Sequence, residues 1–313
     1  MSRAVVPRLT LASGLRRRGA REALLGVLFA LPWIIRLISL HIYPMLAAFY
    51  YSFTRYGMVQ APQWIGLRNY ATIFGRDKLP LQAFYNSIYY SIGAVPLQLA
   101  LGLFLAILLV QRIHGLSFFR SVFFIPTVVP AVASSILWLW LLNSRIGLVN
   151  EVLTHIGLPR IQWLSSPRWV KPAFILMSLW GIGWDTVIFV AGLQNISRHL
   201  YEAAEMDGAG LWARFRNVTL PMLSPTIFFN LVMGTIGSLQ VFGPAFVILR
   251  GAGGGGPQNA ALFYVLYIFR QGFSYFEMGY ASALAVLIFL FILLLTALVF
   301  RSSAVWVYYE GTR

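Results

Sequence analysis

The chain has 313 residues, of which 59% are hydrophobic and only 11% are charged. A soluble domain carries about 25% charged residues, so this composition excludes an ordinary soluble protein and indicates a membrane protein. The net charge is +15, and cysteine is absent, which excludes disulfides and thiolate metal sites.

The N-terminal segment concentrates positive charge. Six arginines precede the first apolar run, and their side chains suit anionic lipid at a cytoplasmic membrane surface. We therefore expect membrane lipid, and not nucleic acid, as the partner of this charge. The apolar run is too long for a signal peptide and no small-x-small cleavage site follows it. The pattern predicts a basic cytoplasmic tail over residues 1–21 and one transmembrane domain over 22–313.

Six segments are long and apolar enough to cross a bilayer, which takes about 20 residues. Six crossings return the C-terminus to the side of the N-terminus, so both termini are predicted to be cytoplasmic. The sequence thus predicts an all-α, polytopic transmembrane helical bundle. The predicted spans are 24–50, 86–110, 119–142, 172–194, 223–249 and 279–300.

Several chemistries are excluded. Neither Lys78 nor Lys171 completes a phosphate-binding P-loop. The four histidines lack metal-ligand spacing, and no two carboxylates lie close together within the spans. We therefore predict that the chain is not an enzyme and that it moves a solute or supports a protein that does.

The segment between the fourth and fifth spans differs from the rest of the chain. In this segment, which we call the knob (residues 198–221), Glu202, Glu205 and Asp207 lie within six residues. Alanines favour helix, whereas Gly208 interrupts it and Pro221 suits the first turn of the next span. The pattern predicts a helix–turn–helix projection into the cytoplasm that docks against a partner. A solvated linker or an amphipathic surface helix would also fit.

The knob carries a spaced motif. Glu-Ala-Ala, three residues, Gly, nine residues, then Val-Thr-Leu-Pro resembles the EAA loop of ABC importer permeases, with Val218 where the pattern has isoleucine. The remaining spans resemble the carbohydrate-uptake branch, the maltose and glycerol-3-phosphate type. The resemblance implies that six residues couple the chain to an ATPase: Glu202, Ala203, Ala204, Gly208, Leu220 and Pro221.

This resemblance also implies the fold of those permeases and a set of partners. These are a second homologous permease, two ATPase subunits that bind ATP and magnesium, and an extracytoplasmic solute-binding protein. No cofactor is expected in this chain, and its location would be the plasma (inner) membrane of a bacterium or archaeon. Whether the second permease is a different chain or a second copy stays open. The main alternative is an ion-coupled secondary transporter or channel, which would need paired intramembrane charges or inverted repeats that the sequence lacks.

Polar residues within the spans are costly and therefore informative. Asp185 lies in the fourth span near Trp180 and Trp184. It is predicted either to accept a hydrogen bond from a sugar hydroxyl, with a tryptophan stacked on the sugar, or to tie two helices together. Tryptophans near span ends, such as Trp138 and Trp140, are expected to be interface anchors.

The fifth span has a second polar stripe. Asn230 and Ser238 share one helix face, and Gln240 lies beside it. These residues are predicted to contact the substrate, with ordinary helix packing as the alternative. The substrate class is predicted to be a sugar, and a polyol or glycerol phosphodiester is also possible.

Overall fold

The protein is built almost entirely of helices. The computed structural model describes residues 25–111, 115–249 and 254–308, so the predicted basic tail lies outside the described residues. Two antiparallel strands of two residues each, β1 (Thr54–Arg55) and β2 (Gln63–Trp64), form a short hairpin. The helices are α1 (Leu25–Ser52), α2 (Arg68–Gly75), α3 (Leu79–Val110), α4 (Leu116–Val128), α5 (Ala131–Leu141), α6 (Leu148–His155), α7 (Val170–Ser178), α8 (Gly183–Gln194), α9 (Arg198–Met206), α10 (Leu211–Arg214), α11 (Leu220–Leu239), α12 (Gly243–Leu249), α13 (Tyr264–Phe269) and α14 (Met278–Trp306).

The predicted all-α bundle is confirmed. In the described part of the chain, α1, α3, α14 and the run Leu211–Leu249 are long and apolar enough to cross a membrane. Two further crossings arise if each bent helix pair is one span. One pair joins α4 to α5 with a bend of 100°, and the other joins α7 to α8 with a bend of 49°. The α3 helix begins at Leu79, earlier than the predicted start of the second span.

The bend between α4 and α5 lies against α8. Pro126 is inside α4, and Pro130 directly precedes α5, so both positions lack a backbone donor. On the facing helix, a Cβ placed on Gly183 would lie 2.3 Å from the carbonyl oxygen of Phe123. Only glycine permits this backbone approach, which brings the two bent spans together.

Small residues also bring α3 close to its neighbours. A Cβ on Gly93 would lie 2.4 Å from the side chain of Ile175 on α7, and a Cβ on Gly102 would lie 3.3 Å from the Cβ of Asp185 on α8. Such small residues let membrane helices pack at short distance. They make α3 the central helix, in contact with α7, α8, α11 and α13.

The end of the bundle that carries the hairpin is held by a polar cluster. The Asp77 carboxylate accepts hydrogen bonds from the hydroxyls of Tyr267 and Tyr280 and from the backbone N–H of Leu79. Burial raises the pKa of Tyr267, and the hydrogen bond to Asp77 raises it further. Asn86 donates to the carbonyls of Asn259 and Leu262. These bonds fix α3 to α13 and α14, and the hydropathy of the spans does not predict them.

Candidate functional site

The knob is a helix–turn–helix, as predicted. At the end of α9 the N–H of Gly208 donates to the carbonyl of Glu205, and the N–H of Ala209 donates to the carbonyl of Ala204. This pair of bonds is the Schellman arrangement, which requires a left-handed residue after the helix. Gly208 supplies it with a φ of +78°. After the turn, α10 continues through residues 215–219 into α11 as one uninterrupted helical run.

An ion pair joins the two short helices inside the knob. The Arg214 Nη1 lies 3.0 Å from the Glu205 Oε1, and the side chain of Arg214 is only 24% exposed. At the base, the hydroxyls of Tyr201 and Thr219 lie 3.1 Å apart. Glu202 points elsewhere, toward Arg198 on its own helix at 3.3 Å. The knob therefore has its own internal contacts and is more than a solvated linker.

The tip of the knob exposes large apolar side chains. Met206 is 88% exposed, Leu211 is 82% exposed and Trp212 is 70% exposed. We call these three residues the apolar tip. They flank the turn at Gly208, and the sequence prediction did not include them. The signal that could have found them is their position beside a glycine turn in an otherwise polar segment.

The predicted coupling residues fall into two groups. Glu202, Ala203, Ala204 and Gly208 lie together on α9 and its turn. Leu220 and Pro221 lie at the first turn of α11, where they are partly buried. The first group adjoins the apolar tip, whereas the second joins the knob to the fifth span.

A cavity of about 210 Å³ lies where the two bent spans meet. Trp138 of α5 and Trp180, in the turn after α7, meet there edge to face with ring centroids 6.0 Å apart. Both indole Nε1 atoms are buried, and neither has a hydrogen-bond partner among the described residues. An unpaired buried donor costs about 1–3 kcal/mol. Each indole N–H is therefore energetically unfavourable in this conformation. Hydroxyl-bearing residues on the cavity wall are Tyr90, Thr127, Ser134, Ser135 and Ser178.

Trp138 differs from its expected role as an interface anchor. Its indole faces the cavity, whereas Trp140 is 54% exposed, and an anchoring role for Trp140 stays a prediction. The sequence contained a signal, because Ser134 and Ser135 precede Trp138 at helical spacing and small polar residues favour the inner face of a span.

The fourth-span candidates do not share one site. Trp180 lines the cavity, but Trp184 is 63% exposed on another side of the helix. Asp185 is partly buried against Gly102 of α3, and none of the described residues donates a hydrogen bond to its carboxylate.

Two of the fifth-span candidates, Asn230 and Ser238, are buried, and the third is exposed. Ser238 Oγ lies 2.6 Å from Ser91 Oγ on α3. Asn230 is 2% exposed, and within the described ranges its Nδ2 has no partner. Gln240 is exposed at the end of α11. Of the six predicted substrate residues, the structure therefore brings only Trp180 to the cavity, and a substrate role for the other five stays a prediction.

The bundle and its helical knob define a polytopic membrane protein of the importer-permease type. The family model described as "Binding-protein-dependent transport system inner membrane component" matches residues 98–304. The chain therefore belongs to this family of membrane transport components.

Individual proteins that are similar to this chain are named as transport permeases. The chain is 38% identical over 293 residues to the probable ABC transporter permease protein YesP of Bacillus subtilis (strain 168), with 93% of this chain and 94% of that protein covered. It is 33% identical over 283 residues to the sulfoquinovosyl glycerol transport system permease protein SmoG of Agrobacterium fabrum (strain C58 / ATCC 33970), with 90% of each covered. A bacterial ABC transporter that imports the acidic polysaccharide alginate contains a chain of the same fold, with a TM-score of 0.80, 24% identity and coverage of 93% of this chain and 98% of that one.

Proposed function

We propose that this chain is the permease subunit of an ATP-driven importer and that its knob is the mechanical contact with the ATPase. The observation that carries the proposal is the apolar tip, in which Met206, Leu211 and Trp212 are each at least 70% exposed. Large apolar side chains grouped at the end of a projection indicate a surface that a partner covers. Family membership supports an importer as the assembly in which this contact is made.

The proposed assembly is the one that the resemblance to ABC importer permeases implies. Two ATPase subunits bind ATP and Mg²⁺ and dock on the knobs of this chain and a second permease. A solute-binding protein delivers the substrate at the end that carries the hairpin. The arginines of the N-terminal tail support an orientation with the knob and both termini in the cytoplasm. Closure of the ATPase pair would move the knob and shift the bent spans between two arrangements.

A charge on the apolar tip is expected to detach the ATPase. Leu211→Glu and Met206→Glu place a carboxylate in the proposed contact, at positions so exposed that the fold of this chain should not change. Because a buried unpaired charge costs several kcal/mol, recovery of ATPase subunits with the affinity-tagged permease should fall about tenfold or more. Pull-down from detergent-solubilised membranes measures this.

Asn217→Glu is the matched control, because Asn217 is exposed within the knob but lies away from the tip. We expect it to retain the ATPase. Full recovery of ATPase subunits with both tip variants would contradict docking at this surface.

We further propose that the imported solute is a saccharide and that the cavity between the bent spans is part of its binding site. Indole faces stack on the apolar faces of sugars, and the cavity combines two indoles with several hydroxyls. The name of the sulfoquinovosyl glycerol permease supports a substrate of this class. Since the indole Nε1 atoms are shut off from solvent in this conformation, sugar hydroxyls would reach them when the α4–α5 pair moves away from the α7–α8 pair.

Removing one of these donors is expected to weaken uptake without weakening the fold. Trp180→Phe and Trp138→Phe keep an aromatic ring and delete the N–H. A hydrogen bond is worth about 1 kcal/mol, so each variant should raise the KM for uptake about fivefold. The unfolding midpoint should not fall through loss of the N–H, because the deleted donor has no partner in this conformation. Uptake of radiolabelled sugar into proteoliposomes measures the KM.

Trp140→Phe, outside the cavity, serves as the control and should leave the KM unchanged. An unchanged KM in both cavity variants would show that these indoles do not contact the substrate.

A further inference from the structure

The helix α6 follows α5 at the end of the bundle that carries the hairpin. It occupies the segment between the end of α5 and the start of α7, and both of those helices belong to bent pairs that are long and apolar enough to cross a membrane. The connection to α5 is tight, because a Cβ on Gly147 would lie 2.5 Å from the carbonyl oxygen of Leu141. The turn that contains Gly147 therefore keeps the start of α6 close to the end of α5.

One buried asparagine holds the orientation of α6. Asn150 is fully buried, and its Oδ1 accepts hydrogen bonds from the backbone N–H of Ile161 and the indole N–H of Trp163, each at 3.1 Å. Its Nδ2 donates to the carbonyls of Ile161 and Ser144. Because this side of α6 is fixed to the protein, the opposite side is presented outward in a defined direction.

The outward side is apolar. Leu148, Val152 and Ile156 recur every fourth residue, so they share one face, and they are 53%, 55% and 65% exposed. Ile146 and Leu158, just beyond the two ends, are 70% and 50% exposed. Exposure of this apolar face to water would be energetically unfavourable.

Two observations favour lipid as the partner that contacts the apolar face of α6. First, the preceding helix α5 exposes an apolar face of its own, where Val132, Ile136 and Trp140 are each more than half exposed, and it belongs to a bent pair apolar enough to cross a membrane. Second, exposed arginines flank α6, with Arg160 paired to Glu151 at 3.0 Å and Arg145 in the preceding turn. Apolar residues on one face and basic residues at its edge are the pattern of a helix lying in a phospholipid interface.

We propose that α6 lies in the membrane surface, with Leu148, Val152 and Ile156 inserted among phospholipid acyl chains and Arg145 and Arg160 at the level of the phosphates. In this position α6 anchors the connection between the two bent spans to the bilayer. The proposal needs only a membrane-embedded chain and does not depend on the transported solute or on ATPase docking.

Because the chain contains no cysteine, a single introduced cysteine can carry a fluorescent label at one chosen position. Val152→Cys carries an environment-sensitive NBD fluorophore on the apolar face, and His155→Cys, with a side chain 75% exposed beside that face, is the matched control. Ile136→Cys on α5 reports a lipid-facing position. The labelled full-length chain, assembled with its partner subunits, is placed in phosphatidylglycerol-containing nanodiscs. Nitroxide-labelled phospholipid quenches the fluorescence of a probe that lies in the membrane, and iodide quenches the fluorescence of a probe that is exposed to water.

We expect the probe at Val152 to resemble the one at Ile136, with lipid quenching about twofold or more above that at His155 and correspondingly weaker iodide quenching. Iodide quenching equal to that at His155, without lipid quenching, would overturn the proposal. Protection from both quenchers would also overturn it and would assign the face to a protein partner. Leu148→Cys provides an independent position on the same face if labelling at Val152 disturbs the assembly, which size-exclusion chromatography detects.

Discussion

Gly208→Val is expected to uncouple transport from ATP hydrolysis, whereas Gly208→Asn is expected to retain most of the coupling. A Cβ at Gly208 would have no heavy atom within 4 Å, so the effect cannot come from crowding within the chain. It comes from the φ of +78°, because a left-handed conformation costs an ordinary residue about 1–2 kcal/mol and asparagine tolerates it better. A β-branched residue would displace the turn and separate Met206 from Leu211.

Uptake and ATP hydrolysis measured in the same proteoliposomes give the coupling ratio. The valine variant should lower this ratio about tenfold, which corresponds to about 1.4 kcal/mol. If valine and asparagine are equally harmful, the glycine is needed because a partner approaches its Cα, and the conformational explanation fails. Normal coupling in both variants would mean that the turn plays no part in transmission.

Reversing either charge of the Glu205–Arg214 pair is expected to lower the coupling ratio, and reversing both is expected to restore it. The two groups lie 3.0 Å apart and join α9 to α10, and the arginine side chain is mostly buried. Glu205→Arg or Arg214→Glu places like charges in contact, so the single variants should lose about fivefold or more in coupling. The double variant rebuilds the pair with opposite polarity and should recover at least about half of the ratio.

The pair formed by Glu151 and Arg160 provides the control for this experiment. It has the same separation of 3.0 Å but joins α6 to the segment that follows it, at the end of the bundle that carries the hairpin, so Glu151→Arg should leave the coupling ratio unchanged. Failure of the double reversal to recover coupling, with normal assembly, would mean that Glu205 or Arg214 acts through a partner subunit and that their mutual contact is unimportant.

Much of the knob was predictable because its determinants are local. The three alanine and glutamate positions of the motif, the glycine turn and the proline that begins α11 all act within 20 residues of one another. Helix propensity, positive φ and the missing proline donor are properties of individual residues. The ion pair between Glu205 and Arg214 was not predicted, because it requires the orientation of α10 relative to α9.

The cavity shows the opposite case. Trp138 and Trp180 are on different spans, and the sequence predicted an interface anchor at the first and a sugar contact at the second without indicating that they meet. Their meeting depends on the 100° bend at Pro130 and on the approach of Gly183 to Phe123. A proline permits a bend but does not set its angle. A glycine permits another helix to approach closely but does not determine which helix that is.

The amino-acid sequence by itself determined the membrane class, the all-α architecture and the local design of the knob. These follow from hydropathy summed over a bilayer thickness and from a turn encoded by adjacent residues. Tertiary structure alone decided which faces of the spans meet. It brought Trp180 to a cavity, left Trp184 outside it, and gave α6 its outward apolar side through Asn150. Such contacts depend on residues far apart in the chain, and in a membrane helix an apolar side chain is equally suited to lipid and to a neighbouring helix.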